Sequence, residues 1–258
     1  MIDDVTDTPQ RLRIALPAYT GQLTIETLGT ILGILQACAE RGITVEVDPL
    51  AGCCYVDEAR NALVGRFLAS GADRLLFLDT DVGAEPDAIA KLLDAQKAVV
   101  AGVYPRKSDA RSWPVLVADG PMVKSLTGCY EAVGIPTGFL LIHREVLVTM
   151  QPQMPAYTDN QGLTQHGYFQ CLMDGKYWGE DYVFCQKVRA LGGKVWFRPD
   201  ITFQHVGLRK WHGNYQDWLN EQEPIVQGLQ AHFATIPGDY RLSMHDGGWF
   251  IQRPRQEG

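Results

Sequence analysis

With 258 residues, 46% of them hydrophobic and 21% charged, the chain can bury a full core, and its composition excludes a disordered or fibrous protein. The formal net charge of −7 gives no general attraction to nucleic acid or anionic membranes, although Arg106, Lys107 and Arg111 make one stretch locally basic. Cys38, Cys53, Cys54, Cys129, Cys171 and Cys185 form no CxxC pair, which argues for reduced thiols in a cytoplasmic protein rather than a zinc site or a disulfide framework. The start is acidic (Asp3, Asp4, Asp7) with no apolar run behind a basic region, so no secretory signal is expected, and no run reaches the length of a membrane span.

Residues 12–19 read as a first strand ending at Pro17-Ala18-Tyr19. Thr24 then caps a helix with Ile25, Leu28, Ile31, Leu32, Leu35 and Cys38 at helical spacing, closed by Gly42. Residues 43–47 alternate as a second strand, so the chain opens strand–helix–strand, the unit of a parallel sheet. A second helix over 56–70 stops at Gly71, with Arg60 on its apolar stripe beside Val56, Leu63 and Phe67. Leu75-Leu76-Phe77-Leu78 is a buried strand running into Asp79-Thr80-Asp81. Pro86 marks the start of a third helix with Ile89, Leu92 and Leu93 inward, and 98–104 is another buried strand.

The chain is less regular after that. Residues 105–131 are broken by Pro105, Pro114 and Pro121, 134–142 form a buried strand entered through a glycine turn, and 150–178 lack clear secondary structure. Trp178-Gly179-Glu180-Asp181 opens a helix that ends at Gly192-Gly193; 194–204 read as one strand leading to His205, and a last helix is expected near 215–232. No internal repeat or linker divides the chain.

Six residues in four places carry chemistry on their own residue types. Side chains alternate along an extended chain, so Asp79 and Asp81 are expected on one side at a strand's carboxyl end, where a hard divalent cation would relieve their repulsion; a turn or a solvated loop is the plainer alternative. Arg60 on a buried stripe calls for an anionic partner or else snorkels to water. Glu180 and Asp181 suit a helix start on dipole grounds alone, or supply a general base. His205 is a structural histidine or a ligand. His143, His166, His212, His232 and His245 form no ligand-spaced pair, and of these His166 and His212 lie in irregular segments where substrate contact is conceivable.

In order, the Pro-Ala-Tyr strand end, Ala59-Arg60-Asn61 on a helix, LLFLDTDV, GIPTGFLLI, WGEDYVFC and QHVG resemble a GT-A glycosyltransferase of the family-2-like kind, over about residues 11–207. The resemblance implies an α/β fold with a mostly parallel, Rossmann-like central sheet flanked by helices. A catalytic unit is expected over 1–207; residues 208–258, outside the resemblance, are expected as a C-terminal extension packing on it and as a candidate lid. The resemblance also implies a UDP-sugar donor and Mn²⁺, with Mg²⁺ as the alternative; a ligand set that includes imidazole favours Mn²⁺.

By the same resemblance, Pro17, Ala18 and Tyr19 would line the nucleoside pocket, and Arg60 and Asn61 would contact the base or diphosphate side. Asp79 would face the ribose or donor sugar, with Thr80 and Gly138 beside it. Asp81 and His205 would hold the metal, and Trp178 and Glu180 would shape the sugar site. Asp181 would deprotonate the acceptor hydroxyl in an inverting displacement. The acceptor is open among a saccharide, a protein side chain and a hydroxymethylated DNA base. A retaining transferase, a nucleotidyltransferase and a non-catalytic nucleotide-sugar-binding module are the alternatives. The second of these calls for a basic phosphate loop after the first strand, and Pro17–Gly21 carries no basic residue. Residues 105–133 and 208–258 match no pattern of the family.

Overall fold

The first strand, β1 (Arg11–Ala18), buries Leu12, Ile14 and Leu16 on one face and Ala15 on the other, as a strand covered on both sides must. The computed structural model describes residues 3–233, 241–245 and 248–252. Helix α1 (Ile25–Glu40) is capped by the Thr24 hydroxyl, which accepts the Thr27 N–H. Its inner face differs from the apolar stripe read in the sequence. Thr27, Thr30, Ile31, Ile34 and Cys38 are buried, while Ile25, Leu28, Leu32 and Leu35 are exposed. The cause lies in the short strand β4 (Val82–Ala84) beneath the helix. Thr27 Oγ1 donates to the Val82 carbonyl at 3.1 Å, and Thr30 Oγ1 accepts the Ala84 N–H at 2.7 Å. Buried backbone groups need partners, and two threonines supply them.

Strand β2 (Thr44–Ala51) and helix α2 (Val56–Ser70) follow, and α2 ends at Gly71 with φ +74, the left-handed cap that glycine adopts without strain. Then come β3 (Arg74–Leu78), buried throughout, β4, α3 (Ala88–Asp94) and β5 (Val99–Gly102). Pro86 falls in the turn just before α3 rather than within it. The second half comprises β6 (Tyr130–Ala132), β7 (Phe139–His143), α4 (Arg144–Met150), the hairpins β8 (Ala156–Thr158) with β9 (Thr164–His166) and β10 (Leu172–Met173) with β11 (Lys176–Tyr177), and α5 (Glu180–Ala190). The segment 150–178, expected without regular structure, therefore holds two small hairpins.

Seven strands make the central sheet in the order β2-β1-β3-β7-β5-β12-β6, where β12 is Val195–Arg198. All run one way except β7 and β6, so the sheet is mostly parallel. Helices α2, α4 and α5 bury Phe67, Leu147 and Phe184 against one face, and α1 and α3 bury Ile34 and Ile89 against the other. The fold is the α/β class expected, with helices on both faces.

The single strand expected over 194–204 is two. Pro199 follows β12, and the chain leaves the main sheet to form β13 (Thr202–Val206). β13 lies between β14 (Lys210–Asn214) and β4 in a separate antiparallel sheet. Proline offers no N–H to a ladder, so the break falls where the sequence removes a donor. Helix α6 (Tyr215–Phe233) follows at the expected place, and Tyr215 and Trp218 join the core beside Trp113. A last hairpin pairs β15 (Arg241–His245) with β16 (Gly248–Gln252). Of the extension read as a lid, 234–240, 246, 247 and 253–258 lie outside the described residues. The acidic start is tied down as well: Asp3 accepts from Trp196 Nε1, Asp4 pairs with Lys97 and Asp7 with Arg74. Among the described residues no helix is long and apolar enough to cross a membrane.

Candidate active site

At the carboxyl end of β3 the chain does not stay extended. The Val82 N–H donates to the Asp79 carbonyl at 3.2 Å, closing a turn over 79–82. Asp79 and Asp81 therefore take different partners, which corrects the expectation that they share one side of a strand. Asp79 accepts from Arg60 Nη2 at 3.0 Å, and Arg60 Nε donates to Glu180 at 3.1 Å. Arg60 is 2% exposed and stacks over Phe77, so the anionic partner that a buried arginine demands is present twice. Burial works against its charge, yet Asp79 and Glu180 outweigh it and hold its pKa above the ordinary value. Its Nη1 is buried and has no hydrogen-bond partner among the described residues.

Gly138 is needed at the same point. The Asp79 N–H donates to its carbonyl, and its own N–H donates to the Tyr104 phenol at 3.1 Å. A Cβ there would sit 2.5 Å from the Tyr104 oxygen and 2.7 Å from Asp79 Oδ2. Tyr104 is itself buried, and burial with the nearby Asp79 charge pushes its phenol well above the usual range, so it stays neutral.

Asp181 stands in the first turn of α5, next to Glu180. Burial raises its carboxyl from 3.8 to about 6, helped by the Glu180 charge and opposed by the Tyr182 N–H, which donates to Oδ1 at 2.8 Å. One arginine already serves two carboxylates here, so a third is held back from ionising. Gly179 leaves room for it; a Cβ at that position would lie 2.5 Å from Oδ1.

A second group forms around Asp81. The Val206 N–H donates to the Asp81 carbonyl at 2.8 Å, and β13 sets His205 opposite Val82. His205 Nε2 is 3.7 Å from Asp81 Oδ1, and Nδ1 is 2.8 Å from the Pro105 carbonyl. That carbonyl can only accept, so Nδ1 carries a proton, and Nε2 faces Asp81, donating to it in the charged ring and offering a lone pair to a cation in the neutral one. One carboxylate and one correctly turned imidazole fit a divalent cation that takes its remaining ligands from phosphate oxygens and water. No group of three or more His, Cys, Asp or Glu side chains around a common point occurs among the described residues. Lys107 Nζ bonds Asp81 Oδ2, a cation where the sequence led us to expect a metal. Burial opposes the Asp81 charge, but His205 and Lys107 outweigh it and keep the carboxyl below its usual range.

The remaining expected residues are more scattered. The register Ala15 opposite Phe77 carries Pro17 and Ala18 to the level of Asp79 and Thr80, and Tyr19 is exposed beyond them. The Thr80 carbonyl accepts from Thr24 N–H, tying the turn to the start of α1. The Trp178 N–H donates to Cys171 at the mouth of α5. The Asn61 side chain is 4% exposed and bonds the Phe169 backbone through both its nitrogen and its oxygen, at 2.9 and 2.8 Å. Tyr104, Pro105 and Lys107 were not singled out for the site from sequence. The available signal was their place directly after a buried parallel strand, at the same sheet edge as Asp79.

No family model matches the chain, and no curated protein matches it in sequence. Solved structures do resemble it in layout. A197 from STIV aligns with a TM-score of 0.47 and 18% identity over 77% of this chain and 86% of its own. GalNAc-T7, solved with UDP, GalNAc and Mn²⁺, aligns at 0.47 and 13% over 78% of this chain, which spans 45% of that protein. The inositol-1-phosphate CTP transferase of T. maritima aligns at 0.40 and 11%, over 76% of this chain and 89% of its own. Such low scores and identities carry no argument about activity, so the functional reading rests on the site.

Proposed function

We propose that this chain is a metal-dependent GT-A glycosyltransferase that moves a sugar from a UDP-sugar to an acceptor hydroxyl with inversion. The observation that carries this reading is Asp181. A carboxyl poised at about 6 beside the buried Arg60–Asp79–Glu180 cluster, at the sheet edge where α/β folds bind ligands, has the basicity to take a hydroxyl proton near neutral pH. As the acceptor oxygen bonds to the anomeric carbon, its proton passes to Asp181, and the bond from that carbon to the diphosphate oxygen breaks with its electron pair leaving on UDP.

Arg60 and Asp79 would hold the donor sugar, with the spare Nη1 hydrogens of Arg60 free for one of its oxygens. Pro17, Ala18, Tyr19 and Thr80 would border the nucleotide, and Trp178 and Glu180 the sugar and acceptor. Asp81 and His205 would hold Mn²⁺, or Mg²⁺ in its place, which neutralises the leaving diphosphate when bound. The reading extends to a catalytic unit over 1–207, a C-terminal extension acting as a lid, and a cytoplasmic location.

Calorimetric titration of UDP and of GDP, each with and without Mn²⁺, tests it. Metal-dependent UDP binding that Asp81→Ala abolishes is the expected result. UDP binding that needs no metal, or that survives in Asp81→Ala, would remove the metal from the reading, and binding of neither nucleotide would remove the donor.

A further inference from the structure

The segment between α4 and α5 does more than connect them. Asn61 fastens Phe169 to α2, Lys187 Nζ reaches the Gly167 carbonyl at 2.7 Å and also bonds Gln170, and Tyr168 donates to the Leu147 carbonyl. Gly65, in the middle of α2, lets the β8–β9 hairpin close in: a Cβ there would lie 2.9 Å from Gln165 Oε1. Gly costs helix stability, so the close approach explains its place. These bonds brace a wall that meets α2 at Asn61 and Gly65.

Two cavities lie between this wall and α2. The larger, about 590 Å³, runs from the loop after β2 along α2 to the β8–β9 turn; the smaller, about 270 Å³, is bounded by Asp57, Tyr157 and Gln170. Tyr55 and Glu58 line both, so they form one groove. Its inner end approaches the candidate base: Asn61 lines it next to Arg60, which bonds Glu180, and Gln170 lines it next to Cys171, whose carbonyl accepts the Trp178 N–H just before α5. The volume matches a bound molecule of several rings.

The lining identifies what fits. Tyr55 is 66% exposed and offers a ring face to the groove. Asn160, Gln161, Gln165 and Gln170 bring amides, and Tyr157 brings a hydroxyl. Asp57, Glu58 and Asp159 are acidic, whereas Arg66, the only basic lining residue of either cavity, is paired with Asp48. Planar carboxylates and amides grip vicinal hydroxyls, aromatic faces cover C–H surfaces, and negative charge repels a phosphate backbone.

Resting on the glycosyltransferase reading of the site, we infer that this groove binds the acceptor and that the acceptor is an uncharged oligosaccharide of two or more sugars. A nucleic acid does not fit it.

The test is binding of the full chain, without donor, to an array of oligosaccharides and monosaccharides and to single-stranded and duplex DNA at one ionic strength, alongside UDP titration with Mn²⁺. Expected is binding to oligosaccharides and not to DNA. Tyr55→Ala, a change at an exposed ring, should weaken it by roughly five- to tenfold and leave UDP binding unchanged. Glu58→Gln serves as a second variant. Binding of DNA alone, of no oligosaccharide, or of oligosaccharides undiminished in both variants overturns the inference, as does a loss of UDP affinity in Tyr55→Ala, which would assign the groove to the donor. Oligosaccharide binding without UDP binding would instead overturn the transferase reading and leave the groove standing.

Discussion

Asp181 gathers the most consequences at the scale of one residue. Its folded-state pKa of about 6 lies above the ordinary 3.8, so the folded protein binds this proton more tightly than the unfolded chain. Stability therefore falls as pH rises from about 4 to about 6, and above that the ionised group costs up to about 3 kcal/mol. Asp181→Asn should remove that cost and raise Tm by roughly 3–6 °C while lowering turnover by about 10²–10⁴-fold. Calorimetric melting and steady-state rates check both halves. In the unaltered protein kcat/KM should drop as pH falls through about 6, because a carboxyl that is already protonated cannot take the acceptor's proton. Lys107 yields the second residue-scale prediction. Its ammonium sits on Asp81 and competes with any cation bound there. Lys107→Ala should tighten Mn²⁺ binding, without nucleotide, by roughly two- to fivefold, read by titration against free Mn²⁺; unchanged affinity would mean that the ion pair is incidental.

Elements are held together by side chains whose purpose the sequence hides. The amide of Asn61 lies one residue from Arg60, which made a ligand role natural, and it closes two bonds to Phe169 across 108 positions of chain. Asn61→Ala would leave a buried N–H and a carbonyl unpaired and should cost roughly 2–4 kcal/mol in urea unfolding. Faster proteolysis between 155 and 171 should accompany it, and an unaltered cleavage pattern would show that the other bonds suffice to hold the wall. Helix α1 teaches the same lesson in reverse. Its leucine stripe is the louder periodic signal, but the threonines face inward because β4 needs hydrogen-bond partners. Hydrophobic periodicity reports a helix reliably and its inner face only when the neighbour is also apolar.

Across the whole molecule, β14 and the start of α6 are built into the body. β14 pairs with β13, Trp113 meets Tyr215 edge to face at 5.3 Å between centroids, and Tyr215 stacks on Trp218 at 5.4 Å. Trp218, 4% exposed, should cost about 3–5 kcal/mol on replacement by Ala. Denaturation should stay a single transition; a separate early one would mark α6 as an independent unit.

The sequence by itself determined the alternating strands and helices, the cap at Thr24, the stop at Gly71 and the carboxylates at strand and helix ends, because these depend on local spacing, capping and turn chemistry. It also pointed to Arg60 as a buried charge in want of an anion. Only the tertiary structure decided which anions answer it. Glu180 lies 120 positions away, His205 reaches Asp81 through a strand that Pro199 turns out of the main sheet, and Lys107 arrives from a loop with no pattern of its own. Which groups meet across a fold depends on strand order and crossovers, and local periodicity carries no record of either.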